Sequence, residues 1–189
     1  AGPAAMTDGA SPAVAPPPVL ETARLRLRPP ALEDAADITA IANDLEIARW
    51  LTRMPHPYAV EDAVFFLREV APAEWCWLIA GKVDGRAMGV IGLRPLADEA
   101  ASERLSVELG YWLGREFWAQ GFATEAASAV LAHGRRALGG RRIAASHDVD
   151  NAASARVLAK LGFRPTGRSE RPCRALDCVR PQVELRLVD

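Results

Sequence analysis

Three cysteines in 189 residues, Cys76, Cys173 and Cys178, are too few for a disulfide framework and suit a reducing compartment. Cys173 and Cys178 lie near enough in sequence to pair, whereas zinc would need more ligands at closer spacing, so no metal site is expected. An excess of either charge is missing as well. Lys+Arg number 23 and Asp+Glu 24, a formal net charge of -1, which leaves no electrostatic footprint for nucleic acid. No apolar run approaches the length of a membrane span, so no membrane partner is expected. The first residues carry no basic segment followed by a long apolar one, which argues against a signal peptide. With the sparse cysteines, this predicts a cytoplasmic protein. Neither the dinucleotide fingerprint G-x-G-x-x-G nor the phosphate-binding G-x-x-x-x-G-K-[ST] occurs, and no internal repeat is present.

What is present is an ordinary apolar half, 50% of the residues, in a chain long enough for one domain with a proper core. Residues 1–19 are rich in Ala, Pro and Gly and read as a flexible tail ahead of a domain spanning 20–189. Ala1–Ala5, before Met6, leave open a vector remnant. Arg24–Arg28 alternates as a strand, stopped by Pro29-Pro30. Leu32–Asn43 has a helical apolar stripe, Ile47–Leu51 reads as a short helical turn, and Val60–Val70 as a second helix. In the Met54–Tyr58 loop, His56 stands between two prolines and reads as an exposed loop residue rather than a catalytic one.

Trp75–Ala80 is apolar on both faces, the mark of a buried strand. Asp84-Gly85 supplies a hairpin turn, and Ala87–Leu93 returns. After a loop over Pro95–Ser102, Leu105–Leu113 alternates as a strand. Ala123–Leu138 is a long helix closed by Gly139-Gly140. Ile143–Ser146 follows a helix and is expected parallel to Leu105–Leu113. Asn151–Leu161 is the last helix, capped by Asp150 and Asn151 and stopped by Gly162. Phe163–Arg168 and Gln182–Leu187 read as closing strands, with Arg171–Pro181 a long loop between them. The expected fold is mixed α/β: one mostly antiparallel sheet with helices on both faces.

The strand–turn–helix at Tyr111–Ala126 organises the rest. Small residues in Trp118-Ala119-Gln120-Gly121-Phe122-Ala123-Thr124 let the backbone curl and approach a ligand closely. The first N–H groups of the following helix lack partners within it and carry partial positive charge, so a phosphate fits there. This stretch resembles the pyrophosphate loop of the GNAT superfamily of acyl-CoA-dependent N-acetyltransferases, [QR]-x-x-G-x-[GA], with Trp118 in place of the usual Gln or Arg. Asn151-x-x-Ser154-x-Arg156-Val157-Leu158-x-Lys160-x-Gly162-Phe163 resembles the carboxyl-terminal motif of the branch that acetylates ribosomal-protein N-termini. The two motifs occur in that branch's order, and the resemblance runs from Glu21 to the C-terminus.

The resemblance implies a GNAT-like domain whose sheet splays between two parallel strands, where the pantetheine arm of acetyl-CoA adds like an extra strand. It implies that acetyl-CoA touches Leu109, Tyr111, Trp118, Ala119, Gln120, Gly121, Phe122, Ala123, Thr124, Asn151 and Arg156, with its thioester near Glu108–Gly110. The acetyl group would pass directly to a primary amine, most simply the α-amine of a peptide N-terminus. A small-molecule amine, or a non-catalytic acyl-CoA sensor, are the competing readings. Glu108 is the candidate base, with His147 and Asp148 as weaker alternatives. Many relatives place a tyrosine acid where Leu158 stands, so Ser154 is the remaining hydroxyl in that motif; a CoA thiolate can also leave without an acid. The oligomeric state is left open, a homodimer included.

Overall fold

The structure, a computed structural model, describes residues 15–96, 106–139 and 142–188. Most of the expected Pro95–Ser102 loop, the first residue of the Leu105–Leu113 strand, Gly140 and most of the tail lie outside those residues. Eight strands form one sheet: β1 (Leu20–Glu21), β2 (Leu25–Arg28), β3 (Trp75–Gly81), β4 (Ala87–Pro95), β5 (Val107–Leu113), β6 (Ile143–Asp148), β7 (Phe163–Cys173) and β8 (Cys178–Leu187). Their order is β1-β2-β3-β4-β5-β6-β8-β7, so the last strand of the chain slots between two earlier ones. Only β5 and β6 run parallel; every other neighbouring pair is antiparallel.

Helices α1 (Ala35–Ala42), α2 (Leu45–Ala48) and α3 (Val60–Phe65) precede β3; α4 (Phe122–Ala137) links β5 to β6, and α5 (Ala152–Lys160) links β6 to β7. Alternation along the strands sends side chains to two cores. Val107, Leu109 and Leu113 of β5 join Ala126, Val130 and Leu131 of α4 and Leu158 of α5 in the larger one. Cys76, Leu78 and Val90 join Ile38, Ala42 and Ala63 under α1 and α3 in the other, with Trp112 against it. Glu108, Gly110 and Trp112 thus share the α1–α3 face, while Tyr111 shares the α4–α5 face.

Two expectations need correction. Arg171–Pro181 is not a long loop: β7 and β8 continue as one ribbon whose register runs out to Cys173↔Cys178. Pro172 and Pro181 look like breakers, but β7 is an edge strand, and beyond Gln182 the other side of β8 has no strand to receive a donor. Ahead of Leu20 the described chain already touches the sheet. Pro17 is buried, and the Pro18 carbonyl accepts the Trp77 indole N–H at 2.8 Å. His56 is half-buried rather than exposed, and its Nδ1 finds no hydrogen-bond partner among the described residues.

Candidate active site

Strands β5 and β6 pair over only three residues, Val107↔Ile143 to Leu109↔Ala145, and then part. Beyond that point Gly110–Leu113 stay paired to β4 on their other side, and Ser146–Asp148 to β8 on theirs. The facing edges are left without each other, a slot into which an extended chain can add its own N–H and C=O groups. Gly110 lies at the vertex. A Cβ built there would meet nothing within 4 Å, so the vertex is open on the α1–α3 face.

The loop after β5 sits at the mouth of this slot. Gly121 has φ +81° and Ala119, a non-glycine, φ +58°, so two left-handed residues curl the backbone into the start of α4. The Trp118 indole N–H donates to the Leu113 carbonyl at 2.8 Å, and the ring stays 40% exposed. Gln120 donates to the Glu116 carbonyl at 2.5 Å. Arg24, just before β2, braces the loop from outside. Its Nη1 donates to the Gln120 carbonyl at 3.1 Å, its Nε to Glu125 at 2.7 Å, and its guanidinium lies 4.2 Å over the Phe122 ring. The Thr22 hydroxyl donates to the same Glu125 at 2.6 Å.

On the same face, Asn151 caps α5 by accepting the Ser154 N–H at 3.0 Å. That leaves its amide nitrogen uncommitted to the cap. The Ser154 and Tyr111 hydroxyls are 2.9 Å apart, bridging α5 and β5. Burial pushes the Tyr111 phenol up to about 12, against the Ser154 bond, so it stays protonated at neutral pH. Leu109 is buried and can offer a ligand only its backbone; Arg156 is exposed and has no ion-pair partner among the described residues.

The α1–α3 face meets the slot with charge. Glu108 is 7% exposed, with its carboxylate shared by Arg94, by Arg171 at 2.8 Å and by the Ser146 hydroxyl at 3.0 Å. Burial alone would raise its pKa; the Arg171 charge and the Arg94 hydrogen bond outweigh it and hold the group below the usual carboxylate range. Arg171 also reaches Glu184 at 3.1 Å. Glu74, just ahead of β3, has the opposite fate. Burial raises its pKa, against Arg53, 3.6 Å away, and Arg94.

At the far end of β6, Asp148 is 1% exposed and holds Arg180 through two bonds of 2.5 and 2.9 Å. Its pKa is lowered chiefly by that Arg180 bond. The His147 Nδ1 lies 2.8 Å from the Asp148 carbonyl. The segment after α2 closes against the ribbon tip, where the Arg174 N–H donates to the Thr52 carbonyl at 3.2 Å and Trp50 lies beneath Arg180. A separate open cleft of about 540 Å³ lies between α1 and Gly114–Glu116, lined by Asp37, Asp44, Arg86 and Arg115 among others.

Residues 24–164 match the family described as "Acetyltransferase (GNAT) domain". The chain belongs to that family. An uncharacterized N-acetyltransferase of Bacillus subtilis (strain 168), YoaA, is 34% identical over 155 residues, 79% of this chain and 85% of the relative. Three solved structures share the GNAT fold at lower identity. A GNAT-family acetyltransferase from Bacillus anthracis superposes with a TM-score of 0.76 at 19% identity, covering 90% of this chain and 98% of that one. A putative ribosomal-protein-serine acetyltransferase from Vibrio cholerae gives 0.73 at 16%, covering 93% and 100%. The microcin C7 self-immunity acetyltransferase MccE, solved with acetyl-CoA and AMP, gives 0.72 at 20%, covering 89% and 94%.

In this acetyltransferase the sheet brings the Trp118–Thr124 loop, Asn151, Ser154 and Tyr111 to one face and sets Glu108 on the other. Arg94, Arg171, Ser146, Glu74 and Arg24 were not legible as site neighbours. Each comes from a stretch outside the two motifs and carries no motif of its own. The alternation of β5 sets Glu108 on the face opposite Leu109, but nothing in that pattern shows that the face is covered and Glu108 buried.

Proposed function

We propose that the chain transfers an acetyl group from acetyl-CoA to a primary amine in a ternary complex, and that the natural acceptor is the α-amine of a peptide or protein N-terminus. The parting of β5 and β6 after Leu109↔Ala145, with the left-handed Gly121 loop at its mouth, carries the first half of this reading. The diphosphate would rest on the N–H groups of Ala119–Thr124, with Trp118 alongside, and the pantetheine would pair with the free edge of β5 beyond Leu109, past Tyr111. The Asn151 amide and Arg156 would meet its outer portion. Backbone N–H groups at Leu109–Tyr111 are placed to steady charge on the thioester oxygen as the amine nitrogen bonds to the carbonyl carbon and the C–S bond breaks. An acceptor that arrives as an ammonium first gives its extra proton to water; the neutral amine then loses one proton as the amide forms and the departing thiolate takes up one, with Ser154 and Tyr111 as the hydroxyls nearest that side.

Glu108 serves this scheme as an ionised anchor at the vertex. Its lowered pKa makes it a weak base, so its main effect is to order Arg94 and Arg171 around the acceptor's entry. An acceptor that is already partly neutral fits that modest apparatus. An α-amine with a pKa near 7.7–8.0 is roughly a tenth neutral at pH 7, whereas a lysine near 10.4 is neutral about once in 2,500 molecules. The Vibrio cholerae neighbour, named for a ribosomal protein's serine, is in line with this acceptor class. The MccE neighbour favours a second reading, a small-molecule amine.

Both are tested by one assay of thiol release from acetyl-CoA. The acceptors are peptides with a free or blocked N-terminus, each carrying one internal lysine, and a set of small amines. Acetylation of the free peptide at its α-amine is expected. Equal rates at the lysine of the blocked peptide, or turnover confined to the small amines, would show that the acceptor class is wrong.

A further inference from the structure

The turn that delivers Asn151 and Ser154 to the slot is built on a buried ion pair that no motif marks. Asp148 is the last residue of β6, and its carboxylate is fully employed. One oxygen accepts the Asp150 N–H at 2.9 Å and Arg180 Nη2 at 2.9 Å, and the other accepts Arg180 Nε at 2.5 Å. The Asp148 backbone continues the work: its carbonyl accepts the Asn151 N–H at 2.9 Å. One residue on, the Val149 N–H donates to the Pro181 carbonyl at 3.1 Å, next to Arg180 in β8.

Arg180 is itself held from several sides. Besides Asp148 it reaches Asp150 at 3.1 Å, and its guanidinium lies 5.7 Å over the Trp50 ring. A planar fork bound through two nitrogens to one carboxylate fixes orientation as well as distance. The path from Arg180 through Asp148 to the cap of α5 therefore has no loose joint. Asn151 caps the helix and Ser154 lies within its first turn, so the rotation of that turn decides where both side chains meet the slot.

We propose that the Asp148–Arg180 pair is a positioning device for the acetyl-CoA site: it sets the turn that carries Asn151 and Ser154, and touches neither substrate. This rests on the acetyl-CoA reading above. It also gives Asp148 a role other than the base for which its place at the end of β6 makes it a candidate, because a carboxylate bonded through both oxygens and buried to 1% exposure is screened from an amine.

Calorimetric titration of CoA into the wild type, Asp148→Asn, Arg180→Met and Arg180→Lys tests this. The stoichiometry reports the folded fraction and Kd reports positioning, so loss of stability and loss of alignment separate. Displacing a site by an ångström costs on the order of 100-fold. Asp148→Asn and Arg180→Met are accordingly expected to weaken Kd by about tenfold or more at near-unit stoichiometry. Arg180→Lys, which keeps the charge without the fork, should fall between them and the wild type. The KM for acetyl-CoA should rise in step with Kd. A Kd within about twofold of wild type in the folded fraction of Arg180→Met or Asp148→Asn would overturn the proposal while leaving the acetyl-CoA reading intact. A wild type that binds no CoA would overturn the acetyl-CoA reading itself.

Discussion

The two faces of the sheet approach the same slot with different chemistry. From the α4–α5 side come mainly backbone groups: a left-handed loop, a helix start and a capped helix, with the Tyr111 and Ser154 hydroxyls beside them. From the α1–α3 side come charges clustered around two buried carboxylates, Arg94–Glu108–Arg171–Glu184 and Asp148–Arg180–Asp150. Backbone recognition is insensitive to side-chain identity, so it suits a ligand of fixed structure such as a nucleotide diphosphate. A side-chain cluster can be re-cut residue by residue, which suits the side proposed for the acceptor.

Removing Glu108 should strain the comparison hardest. Glu108→Ala leaves Arg94 and Arg171 in one pocket without their shared anion. Breaking a buried pair costs about 3 kcal/mol or more, at the low end here because Arg94 is partly exposed. At roughly 2–4 °C per kcal/mol for a chain of this length, Tm should fall by about 6–12 °C, measured by scanning calorimetry. An unchanged Tm would mean that the charged face is not held by its charges.

The backbone face answers differently to Gly121→Val. A Cβ there meets only the Arg24 guanidinium, at 3.5 Å, so the fold has room for it. The left-handed φ costs about 1–2 kcal/mol, and the branched side chain covers the N–H groups. CoA affinity should fall by about tenfold or more, with a Tm loss smaller than that of Glu108→Ala. The reverse ranking in Tm would erase the distinction between the faces.

Acidity separates two carboxylates of the charged face. Glu108 has a folded pKa below its unfolded value near 4.3, so its stabilisation is complete above that value and disappears as pH falls through the folded pKa. Glu74 has a raised folded pKa. Its contribution is present below about 4.3 and is lost as pH rises through the folded value, leaving a buried charge at neutral pH. Glu74→Gln should therefore raise the urea midpoint at pH 7 by a small margin and not at pH 4, while Glu108→Gln should lower it at pH 7 and matter progressively less on acidification. Equal behaviour of the two variants would contradict the assignment.

The smallest effect is expected from the cysteines. Cys76 is buried beneath α1 and α3, where burial pushes its thiol pKa far up, and Cys173 spends its thiol on the Arg49 carbonyl at 3.5 Å. With all three replaced by Ala or Ser, turnover per folded molecule should stay within about twofold. An acetylated cysteine trapped by mass spectrometry would show that transfer is not direct.

The backbone face was far more legible in the sequence than the charged one. The β5–loop–α4 passage and the Asn151–Phe163 helix declare themselves through local periodicity, small residues and caps. The site neighbours on the charged face are set by strand order, which local patterns do not encode. Arg171 reaches Glu108 from the part of the β7–β8 ribbon that runs on past its pairing with β6. The same ribbon was misread because Pro172 and Pro181 disfavour strands in general, and nothing nearby reveals that their missing donors face no partner.

The insertion of β8 between β6 and β7 also constrains how the molecule is made. During synthesis β7 emerges before β8, yet it has no place in the sheet until β8 arrives to lie between it and β6. The nascent chain therefore holds an unmated strand until β8 has emerged. The tie from Arg171 to Glu108 comes with that ribbon, so the charged face is finished only once the ribbon has closed. Variants that slow the closing of the β7–β8 ribbon should show themselves first as poor yield from cells, before any defect in the purified enzyme.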